Sequence, residues 1–399
     1  MAFAAGAAPS ARAAPCRTSG SFAAWLATFE REATANGISA RTIARAAPYL
    51  TYDQHIVNID RGQRVFTQSF LQFSGRMAAA YRIRRGEALI KTYGAEFARI
   101  KRQYGVPAPV IVSFWALESD FGANMGKYRS LSAIASLAYD CRRADKFRPQ
   151  LFDALRLIQR ADLAPDEMIG SWAGEVGQTQ MMPSEYYRYA VDYDGDGRRD
   201  LIHSVPDMLA STANYLAGLG WRRREPWLTE VRVPTNLPWQ EADLTIELPR
   251  AKWAAYGVTL ADGRPLPTDQ LPASLLLPMG RFGPAFLVYK NFQVYLQWNN
   301  SLVYSTTAAY LATRIAGAAP LHPGAPPAGL SFSEVKELQR LLARAGYDVG
   351  TVDGFLGLKT RQAVKAMQLK YGLPADSYPT PALLARMRSA RASAAGSLR

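Results

Sequence analysis

Long hydrophobic runs are missing from this sequence. No stretch approaches the roughly 18 to 20 consecutive apolar residues that a membrane-spanning helix requires. The sequence therefore predicts a protein without a membrane span, soluble once any targeting segment has been removed. Its 399 residues are nevertheless 48% hydrophobic and 11% aromatic, which is ample for a large core and a small additional module. This composition excludes a disordered chain.

Cysteine is also scarce, because Cys16 and Cys141 are the only two in the chain. They are far apart in the sequence. In an oxidising compartment they would form one disulfide that ties the N-terminal segment to the body of the protein. Two free thiols are the alternative, and the sequence leaves both open.

Acidic residues are outnumbered by basic ones. The chain has 47 Lys and Arg against 33 Asp and Glu, a formal net charge of +14 at pH 7. Such a charge suits a polyanion, and nucleic acid is the first partner to consider. The basic residues are scattered in short groups such as Arg82–Arg85 and Arg222–Arg224, without a recognisable nucleic-acid motif. We therefore expect no nucleic-acid partner, and an acidic envelope surface explains the charge equally well.

The first residues have the composition of a targeting segment. Met1–Pro15 resembles the back half of a secretory signal, and Ala11–Ala13 provides a small-residue cleavage pattern. The basic start and the full apolar part of such a signal are missing. Cys16 follows a proline, which does not fit the lipid-attachment pattern of lipoproteins, so we expect no lipid anchor. We interpret residues 1–18 as the remnant of a secretory signal.

One acidic residue stands in an apolar helical run from Pro109 to Gly122. Proline suits the first helical turn and glycine the position after the last, so the run predicts a short buried helix with Glu118 near its C-terminal end. The helix dipole and the neighbouring Trp115 and Phe121 would both favour the protonated form of this carboxyl group. A protonated carboxylic acid is a general acid. The alternative is an exposed glutamate on an amphipathic helix.

A second segment, Gly170–Tyr187, has the composition of a ligand-binding loop. Its glycines allow close backbone approach, and its Ser, Gln and aromatic side chains suit sugar hydroxyls, amides and ring faces. Taken alone, it also fits an ordinary Gly-rich turn before a helix.

These two segments belong to an ordered series of motifs. The series comprises Asp60–Phe66, Glu118–Gly122, Met125–Arg129, Arg142–Arg143, Gly170–Tyr187, Ser211–Leu216 and Asn299–Tyr304. In this order they resemble the membrane-bound lytic transglycosylase B family, lysozyme-like enzymes that cleave peptidoglycan. The resemblance runs from about Phe22 to about Ile315. Any one motif is a weak signal, whereas the ordered series is a strong one.

The C-terminal part resembles a different module. Ser331–Met387 is similar to the three-helix peptidoglycan-binding domain, with matching pieces at Leu338–Leu342, Gly346–Tyr347, Val352–Thr360 and Ala363–Gln368. Asp353, Gly354 and Gly357 predict tight turns between two amphipathic helices, with Thr360 near the start of the second. A small helical cap without ligand affinity is the alternative.

Together these patterns predict an α+β, mainly α protein. Its parts would be a lysozyme-like catalytic domain with a small mixed insertion and a C-terminal three-helix peptidoglycan-binding domain. Helical periodicity runs over Ser19–His55, one long helix is expected over Phe70–Tyr104, and shorter helices are expected at Leu131–Tyr139 and Gln150–Ala161. Strands are expected at Leu228–Val233 and Ala285–Tyr289. The expected segments are 1–18 (signal remnant), 19–315 (catalytic domain), 316–330 (Ala/Pro/Gly linker) and 331–390 (peptidoglycan-binding domain).

An acidic loop has the spacing of a calcium site. Asp192, Asp194, Asp196 and Asp200 occupy positions 1, 3, 5 and 9 of an EF-hand-like loop, with glycine at position 6. Position 12, where the EF-hand rule expects a bidentate acid, is His203. We expect no required cofactor, and a weakly bound structural Ca²⁺ or other cation in this loop. The alternative is an Asp/Gly turn held by its own hydrogen bonds.

The resemblance implies a reaction with a single acid. Glycosidases usually need two carboxylates, whereas here Glu118 would protonate the glycosidic oxygen between N-acetylmuramic acid and N-acetylglucosamine. The same residue would then take the proton of the C6 hydroxyl as that oxygen closes on C1. The product would be a 1,6-anhydro sugar.

The resemblance also implies further site residues by motif. Ser171 and Gln180 would bind the sugar near its acetamido group, Tyr215 and Tyr304 would line the cleft, Asn299 would orient the site, and Arg142 and Arg143 would meet the stem peptide or the lactyl carboxylate. Trp298 stands where the family often has a tyrosine, so a hydroxyl role does not carry over. A packing role is the alternative for each.

Two other functions remain open at this point. A hydrolytic muramidase would draw its second carboxylate from Asp120, Glu175 or Glu185. A wall-binding scaffold without catalysis would rely on the C-terminal module alone. In each case peptidoglycan is the expected partner, the periplasm the expected compartment and a monomer the default state.

Overall fold

The computed structural model describes residues 20–62 and 68–396, with side chains up to residue 390. The predicted signal remnant, Cys16 and Gln63–Phe66 of the first motif lie outside the described residues. The chain divides into two compact units, one formed by Met1–Arg64 and Glu118–Tyr215, the other by Val65–Leu117 and Leu216–Arg399. These two units do not coincide with the four continuous segments expected from the sequence. The bounds of those segments stay a prediction.

Helices dominate the described residues. The helices are α1 (Phe22–Ala35), α2 (Ala40–Ala46), α3 (Gln54–Gly62), α4 (Phe70–Met77), α5 (Ala80–Thr92), α6 (Gly94–Tyr104), α7 (Ala108–Ser119), α8 (Ser130–Tyr139), α9 (Ala144–Gln159), α10 (Pro183–Tyr189), α11 (Val205–Gly218), α12 (Arg250–Ala255), α13 (Lys290–Trp298), α14 (Leu302–Ile315), α15 (Phe332–Arg344), α16 (Leu358–Lys370) and α17 (Pro381–Gly396). The strands are β1 (Tyr128–Arg129), β2 (Ile169–Gly170), β3 (Leu228–Arg232), β4 (Leu248–Pro249), β5 (Thr259–Leu260), β6 (Pro272–Leu276) and β7 (Ala285–Val288). The mainly helical α+β class is confirmed.

The first unit is built on aromatic side chains from α1, α8 and α9. Trp25 and Phe29 stack on one face of α1 with their ring centroids 5.7 Å apart, and Phe29 contacts Phe152 at 4.7 Å. Tyr139 at the end of α8 packs at 5.6 Å from Trp25. All ten residues of α8 are buried, so this helix is the centre of the unit.

The second unit contains one antiparallel five-stranded sheet in the order β4-β6-β7-β3-β5. The continuously apolar strand β7 is buried along its whole length, and β3 pairs with it from Leu228 to Val231. Trp253 on α12 is fully buried, and its indole N–H donates to the carbonyl oxygen of Ala273 at 2.9 Å. Both strands predicted from the sequence are therefore confirmed.

A buried glutamine on α15, Gln339, holds the turn between α15 and α16. Gln339 accepts a 2.8 Å hydrogen bond from the N–H of Gly354 and donates to Asp353 Oδ1 at 3.0 Å and to Thr360 Oγ1 at 3.2 Å. Gly354 has φ +88°, and a Cβ there would lie 2.4 Å from the ring of Phe332. The predicted turn at Asp353 and Gly354 is thus fixed by one side chain.

Helix α7 is apolar on every side, as expected of a buried helix. Val110, Ile111, Val112, Phe114 and Ala116 have no exposed surface. Among the described residues, no helix combines the length and the apolar character that crossing a membrane would need.

One helical prediction was wrong. The region 70–104 was expected to read as a long helix, but it forms α4, α5 and α6. The breaks fall at Ala78–Ala79 and at Tyr93, where the backbone leaves the helical region. Alanine favours helices, so packing in the folded protein overrides local propensity here. The helix predicted over Leu131–Tyr139 is confirmed, whereas α9 begins before the predicted Gln150, at Ala144.

Candidate active site

Glu118 lies in the last turn of α7 and is half-buried. The three residues Asp120, Phe121 and Gly122, just after the helix, have φ values of 52°, 62° and 84°. Such left-handed conformations cost about 1–3 kcal/mol for a residue with a side chain and persist only where the surroundings impose them. The chain that follows Glu118 is therefore held in a turn that its own preferences do not favour.

The hydroxyl of Ser119 holds this turn. It donates to the carbonyl oxygen of Gln178 at 2.5 Å and accepts the N–H of Gly122 at 2.8 Å. A Cβ at Gly122 would lie 2.9 Å from the side-chain oxygen of Gln178. Gln178 is itself buried and donates to the carbonyl of Ile202 at 3.0 Å. These contacts position the end of α7 against the Gly-rich segment.

The Gly-rich segment needs its glycines for close backbone approach. Gly170 pairs with Tyr128 in the β1–β2 ladder. A Cβ at Gly126 would lie 2.0 Å from the carbonyl oxygen of Gly170, and a Cβ at Gly170 would lie 1.8 Å from that of Glu175. No side chain fits at either position without movement of the backbone.

Ser171 closes the loop that follows β2. Its N–H donates to the carbonyl oxygen of Glu175 at 2.9 Å, and its hydroxyl donates to the Glu175 carboxylate. The hydroxyl also accepts the N–H of Ala173 at 3.1 Å. The predicted sugar-binding hydroxyl is thus part of the loop's own hydrogen-bond network.

Gln180 links two loops of the first unit. It has φ 49°, and its side-chain amide donates to the carbonyl oxygens of Met125 at 3.0 Å and Gly177 at 2.8 Å. Because both amide hydrogens meet protein carbonyls, the side-chain oxygen is the atom available for a ligand.

Arg142 and Arg143 meet a buried carboxylate of the protein. Both guanidinium groups form ion pairs with Asp60, whose side chain is 1% exposed, and Arg142 Nη1 also donates to the Asp60 carbonyl oxygen at 2.9 Å. The Arg143 guanidinium lies over the rings of Phe147 and Trp172, at 4.9 and 5.6 Å from their centroids. The structure therefore gives the pair an internal partner besides any ligand carboxylate.

A buried acidic group lies near Tyr215. Burial raises the pKa of Glu185, and its Oε2 atom is buried without a hydrogen-bond partner among the described residues. Burial, and then the charge of Glu185, raise the pKa of Tyr215. The ring of Tyr215 packs on that of Tyr189 with the centroids 4.8 Å apart. Glu185 is therefore a partly buried carboxyl group whose pKa lies above its usual range.

Asn299 and Tyr304 lie in the second unit, around the junction of α13 and α14. Asn299 ends α13, and its Oδ1 atom accepts the N–H of Ser301 at 2.9 Å. Ser301 then caps α14 by accepting the N–H of Tyr304. Trp298 packs on Phe114 with the ring centroids 4.3 Å apart.

Three carboxylates of the acidic loop converge. Oxygens of Asp192, Asp194 and Asp196 lie within 4.8 Å of one another. The Asp192 carboxylate also accepts the N–H groups of Gly195 at 2.8 Å and Gly197 at 2.9 Å. Three carboxylate oxygens are ligands that Ca²⁺ prefers, although an EF-hand site adds a bidentate acid at position 12.

Asp200 is not part of this group. Its carboxylate accepts the N–H groups of Ile202 and His203 at 2.9 Å and pairs with the His203 ring at 3.0 Å and with Arg198 at 3.7 Å. These local partners turn the position-9 acid away from the loop centre. The loop is anchored instead by buried Asp207, which accepts the N–H groups of Tyr193, Asp194 and Asp200.

Cys141 is disulfide-bonded in this structure. The expected partner, Cys16, lies outside the described residues.

Several positioning residues escaped the sequence analysis. The sequence placed Asp60 in a motif but did not indicate its ion pairs with Arg142 and Arg143. The hydrogen bond between Ser119 and Gln178 joins residues 59 positions apart. Asp207 falls beyond the twelve-residue window of an EF-hand loop. No local pattern marks such residues, because their partners are brought to them by the fold.

Comparison with known proteins places this geometry in a family. A model described as the transglycosylase SLT domain matches residues 21–313, and a model of a peptidoglycan binding domain matches residues 332–387. The chain belongs to the transglycosylase SLT family. It is a lytic transglycosylase of this family and acts on peptidoglycan.

The relatives agree with this assignment. Membrane-bound lytic murein transglycosylase B of Escherichia coli is 30% identical over 251 residues, which are 62% of this chain and 68% of the relative. Two crystal structures of SltB3 from Pseudomonas aeruginosa, one in complex with NAG-anhNAM-pentapeptide and one with NAG-NAM-pentapeptide, are 42% identical to this chain. Their TM-scores are 0.85 and 0.86, and each match covers 92% of this chain and 99% of the SltB3 chain. The structure of Slt35 from Escherichia coli in complex with calcium is 26% identical to this chain, with a TM-score of 0.62. The match covers 73% of this chain and 92% of the Slt35 chain. The lysozyme-like fold is thereby confirmed.

Proposed function

We propose that Glu118 is the single acid and base of a non-hydrolytic cleavage that leaves 1,6-anhydro-N-acetylmuramic acid ends. The main support is the position of Glu118 in the last turn of a buried helix, beside the turn fixed by Ser119 and Gln178. The negative end of the helix dipole and the low polarity around α7 favour the protonated acid there. A fixed, protonated carboxyl group is what the first step requires.

The proton balance needs one carboxyl group and no water. Glu118 gives its proton to the glycosidic oxygen as the bond from that oxygen to C1 of the muramic acid breaks. The N-acetyl carbonyl of the same sugar supports the positive charge that develops at C1. The Glu118 carboxylate then removes the proton of the C6 hydroxyl, whose oxygen bonds to C1 and closes the anhydro ring.

The other predicted residues hold the substrate or the loops that meet it. The side-chain oxygen of Gln180 accepts the acetamido N–H, because the amide hydrogens already bind protein carbonyls. Ser171 shapes the loop beside it, and Arg142 and Arg143 meet a stem or lactyl carboxylate from their positions on Asp60. For Tyr215 and Tyr304 as cleft residues, and for Asn299 as the residue that orients the site, the support is the motif resemblance alone.

Of the three carboxylates predicted for a hydrolytic muramidase, Glu185 and Glu175 have surroundings that favour the single-acid reaction instead. A hydrolase needs a second carboxylate as base or nucleophile. Burial raises the pKa of Glu185 above its usual range, which opposes the charged form that such a role requires. The Glu175 carboxylate is engaged by the hydroxyl of Ser171.

A structural cation is a further part of the proposal. Asp192, Asp194 and Asp196 would hold a weakly bound Ca²⁺, as three oxygen donors fit such an ion. Slt35, a relative of this chain, was crystallised with calcium. The ion would order the loop that Asp207 anchors, and the cleavage does not depend on it.

We also propose a monomer that works in the periplasm, where its peptidoglycan substrate lies. Light scattering and cell fractionation test these two points.

Muropeptide analysis tests the proposed chemistry. Purified sacculi are digested with the wild type, with Glu118→Gln and with Glu96→Gln, a half-buried glutamate on α6 that has no role in the site. Products are identified by mass spectrometry without prior reduction. We expect anhydro-muramyl ends from the wild type and from Glu96→Gln, and none from a folded Glu118→Gln. Reducing ends would refute the non-hydrolytic reaction, and anhydro ends from Glu118→Gln would remove Glu118 from its role.

A further inference from the structure

A groove of about 430 Å³ lies in the second unit, next in sequence to the predicted site residue Asn299. We call it the amide groove. It is lined by Leu244, Gln293, Leu296, Gln297, Asn300, Leu302 and Leu358. Its size falls within the range of small-ligand sites. The lining comes from α13, the connection from α13 to α14, the first residues of α14 and α16, and the segment before β4.

The amide groove combines carboxamides with leucines. Within the described part of the chain, the side chains of Gln293 and Asn300 have no hydrogen-bond partner, and each offers both donors and an acceptor. Gln297 is fixed in place because its amide donates to the carbonyl oxygens of Leu219 and Gln293. The lining includes no charged side chain and no aromatic ring.

This chemistry suits a peptide better than a sugar. Peptide groups present both a donor and an acceptor, as carboxamides do, and the methyl groups of alanine residues suit leucine surfaces. The flat face of a sugar ring would find no aromatic platform in this lining. We propose that the amide groove binds the stem peptide of peptidoglycan by its backbone and its small apolar side chains. The inference rests on the proposed function, whose substrate carries such stems.

The C-terminal helices form one wall of the groove. Leu358, the first residue of α16, is 42% exposed. Helix α16 is held beside Leu244, since Lys365 pairs with Asp243 at 3.1 Å and buried Arg361 donates to the carbonyl oxygen of Leu277 at 2.5 Å. A stem in the groove would therefore touch the catalytic-domain helix α13 and the peptidoglycan-binding module together.

Binding measurements in an inactive background test the groove. Glu118→Gln is combined with Gln293→Ala and Asn300→Ala, and separately with Asn236→Ala and Gln240→Ala as the matched control. The control residues are exposed carboxamides of the same unit outside the groove. Leu358→Ala in the same background provides a second, independent probe. The ligands are soluble glycan strands with intact stems and the same strands stripped of stems by an N-acetylmuramyl-L-alanine amidase.

We expect the groove variants to bind stem-bearing strands about three- to tenfold more weakly, the loss of one or two hydrogen bonds. Their affinity for stripped strands, and the control's affinity for both, should equal that of Glu118→Gln alone. Equal weakening for both ligands would mean a glycan subsite and would overturn the proposal, as would no weakening by any variant. Each strand preparation is first incubated with Glu118→Gln alone: cleavage there would count against the proposed function, whereas a failure of the groove variants to weaken binding of uncleaved strands would count against the groove.

Discussion

The hydroxyl of Ser119 donates a 2.5 Å hydrogen bond to the carbonyl oxygen of Gln178, across 59 positions of the chain. Ser119 follows the proposed acid Glu118 directly, and Gln178 lies in the Gly-rich segment that carries Ser171 and Gln180. The bond therefore connects the two motifs on which the functional assignment depends. The N–H of Gly122 donates to the same hydroxyl, and only glycine fits there, because a Cβ would lie 2.9 Å from the side-chain oxygen of Gln178.

Replacing Gly122 tests this connection. In Gly122→Ala the new Cβ would lie 2.9 Å from Gln178, at φ +84°. We expect kcat/KM on sacculi to fall about ten- to a hundredfold, because small displacements of a catalytic group are costly. Gly37→Ala is the control, since Gly37 has φ +85° and nothing within 4 Å of the new Cβ. Equal losses in the two variants would show that backbone strain alone is responsible.

The ion pairs of Arg142 and Arg143 with buried Asp60 are expected to contribute strongly to the stability of the first unit. Asp60→Asn removes the buried charge that Arg142 and Arg143 share, and should lower the free energy of unfolding by about 1–3 kcal/mol. Asp262→Asn removes the partner of Arg264 in an exposed pair and should change little. Thermal or denaturant unfolding of both variants measures the difference. A stable Asp60→Asn protein would mean that the arginines find other partners.

Glu185 should make stability depend on pH. Burial raises its pKa above the usual 4.5, so the folded state keeps this proton at pH values where the unfolded chain has lost it. Its contribution to stability is therefore full below about pH 4.5 and is lost as pH rises through the folded pKa. Glu185→Gln does not titrate, so its Tm relative to the wild type should rise with pH across this window. The exposed change Asp166→Asn should show no such trend, and a flat difference for Glu185→Gln would contradict the buried acid.

The acidic loop gives a test of which carboxylates bind a cation. We expect millimolar Ca²⁺ to raise the Tm of the wild type and of Asp200→Asn, whose carboxylate pairs with Arg198 and His203. The double change Asp192→Asn and Asp196→Asn should abolish the rise. Asp200→Asn will lower the starting Tm, because it loses the pairs of the carboxylate with Arg198 and His203, so the comparison is of the Ca²⁺-induced shift. A shift that survives the double change would place the ion elsewhere.

The sequence was most informative where the signal is local. The apolar run that begins near Pro109 and stops near Gly122 predicted α7 and the place of Glu118 on it, because proline and glycine mark helix ends. The apolar residues of β7 predicted a buried strand. The Asp353 and Gly354 turn in the C-terminal module followed from the same kind of signal.

The sequence was least informative where distant residues meet. The first break in 70–104 lies at Ala78 and Ala79, which carry no local helix-breaking signal. The partners of Ser119, Arg143 and Gln180 come from distant positions in the chain. Asp200 had the right spacing for a ligand but is turned away by His203 and Arg198, which spacing cannot reveal. Motif order was therefore enough for the family, whereas the contacts of each site residue required the fold.

Cleavage in water labelled with heavy oxygen tests the central claim most directly. If Glu118 alone carries the reaction, the released muramyl ends contain no heavy oxygen and are lighter by one water than reducing ends. The same products must be missing from Glu118→Gln, whose fold is checked by its Tm. Heavy oxygen at C1 of the muramyl product would show that water is the nucleophile, and the single-residue mechanism would be wrong.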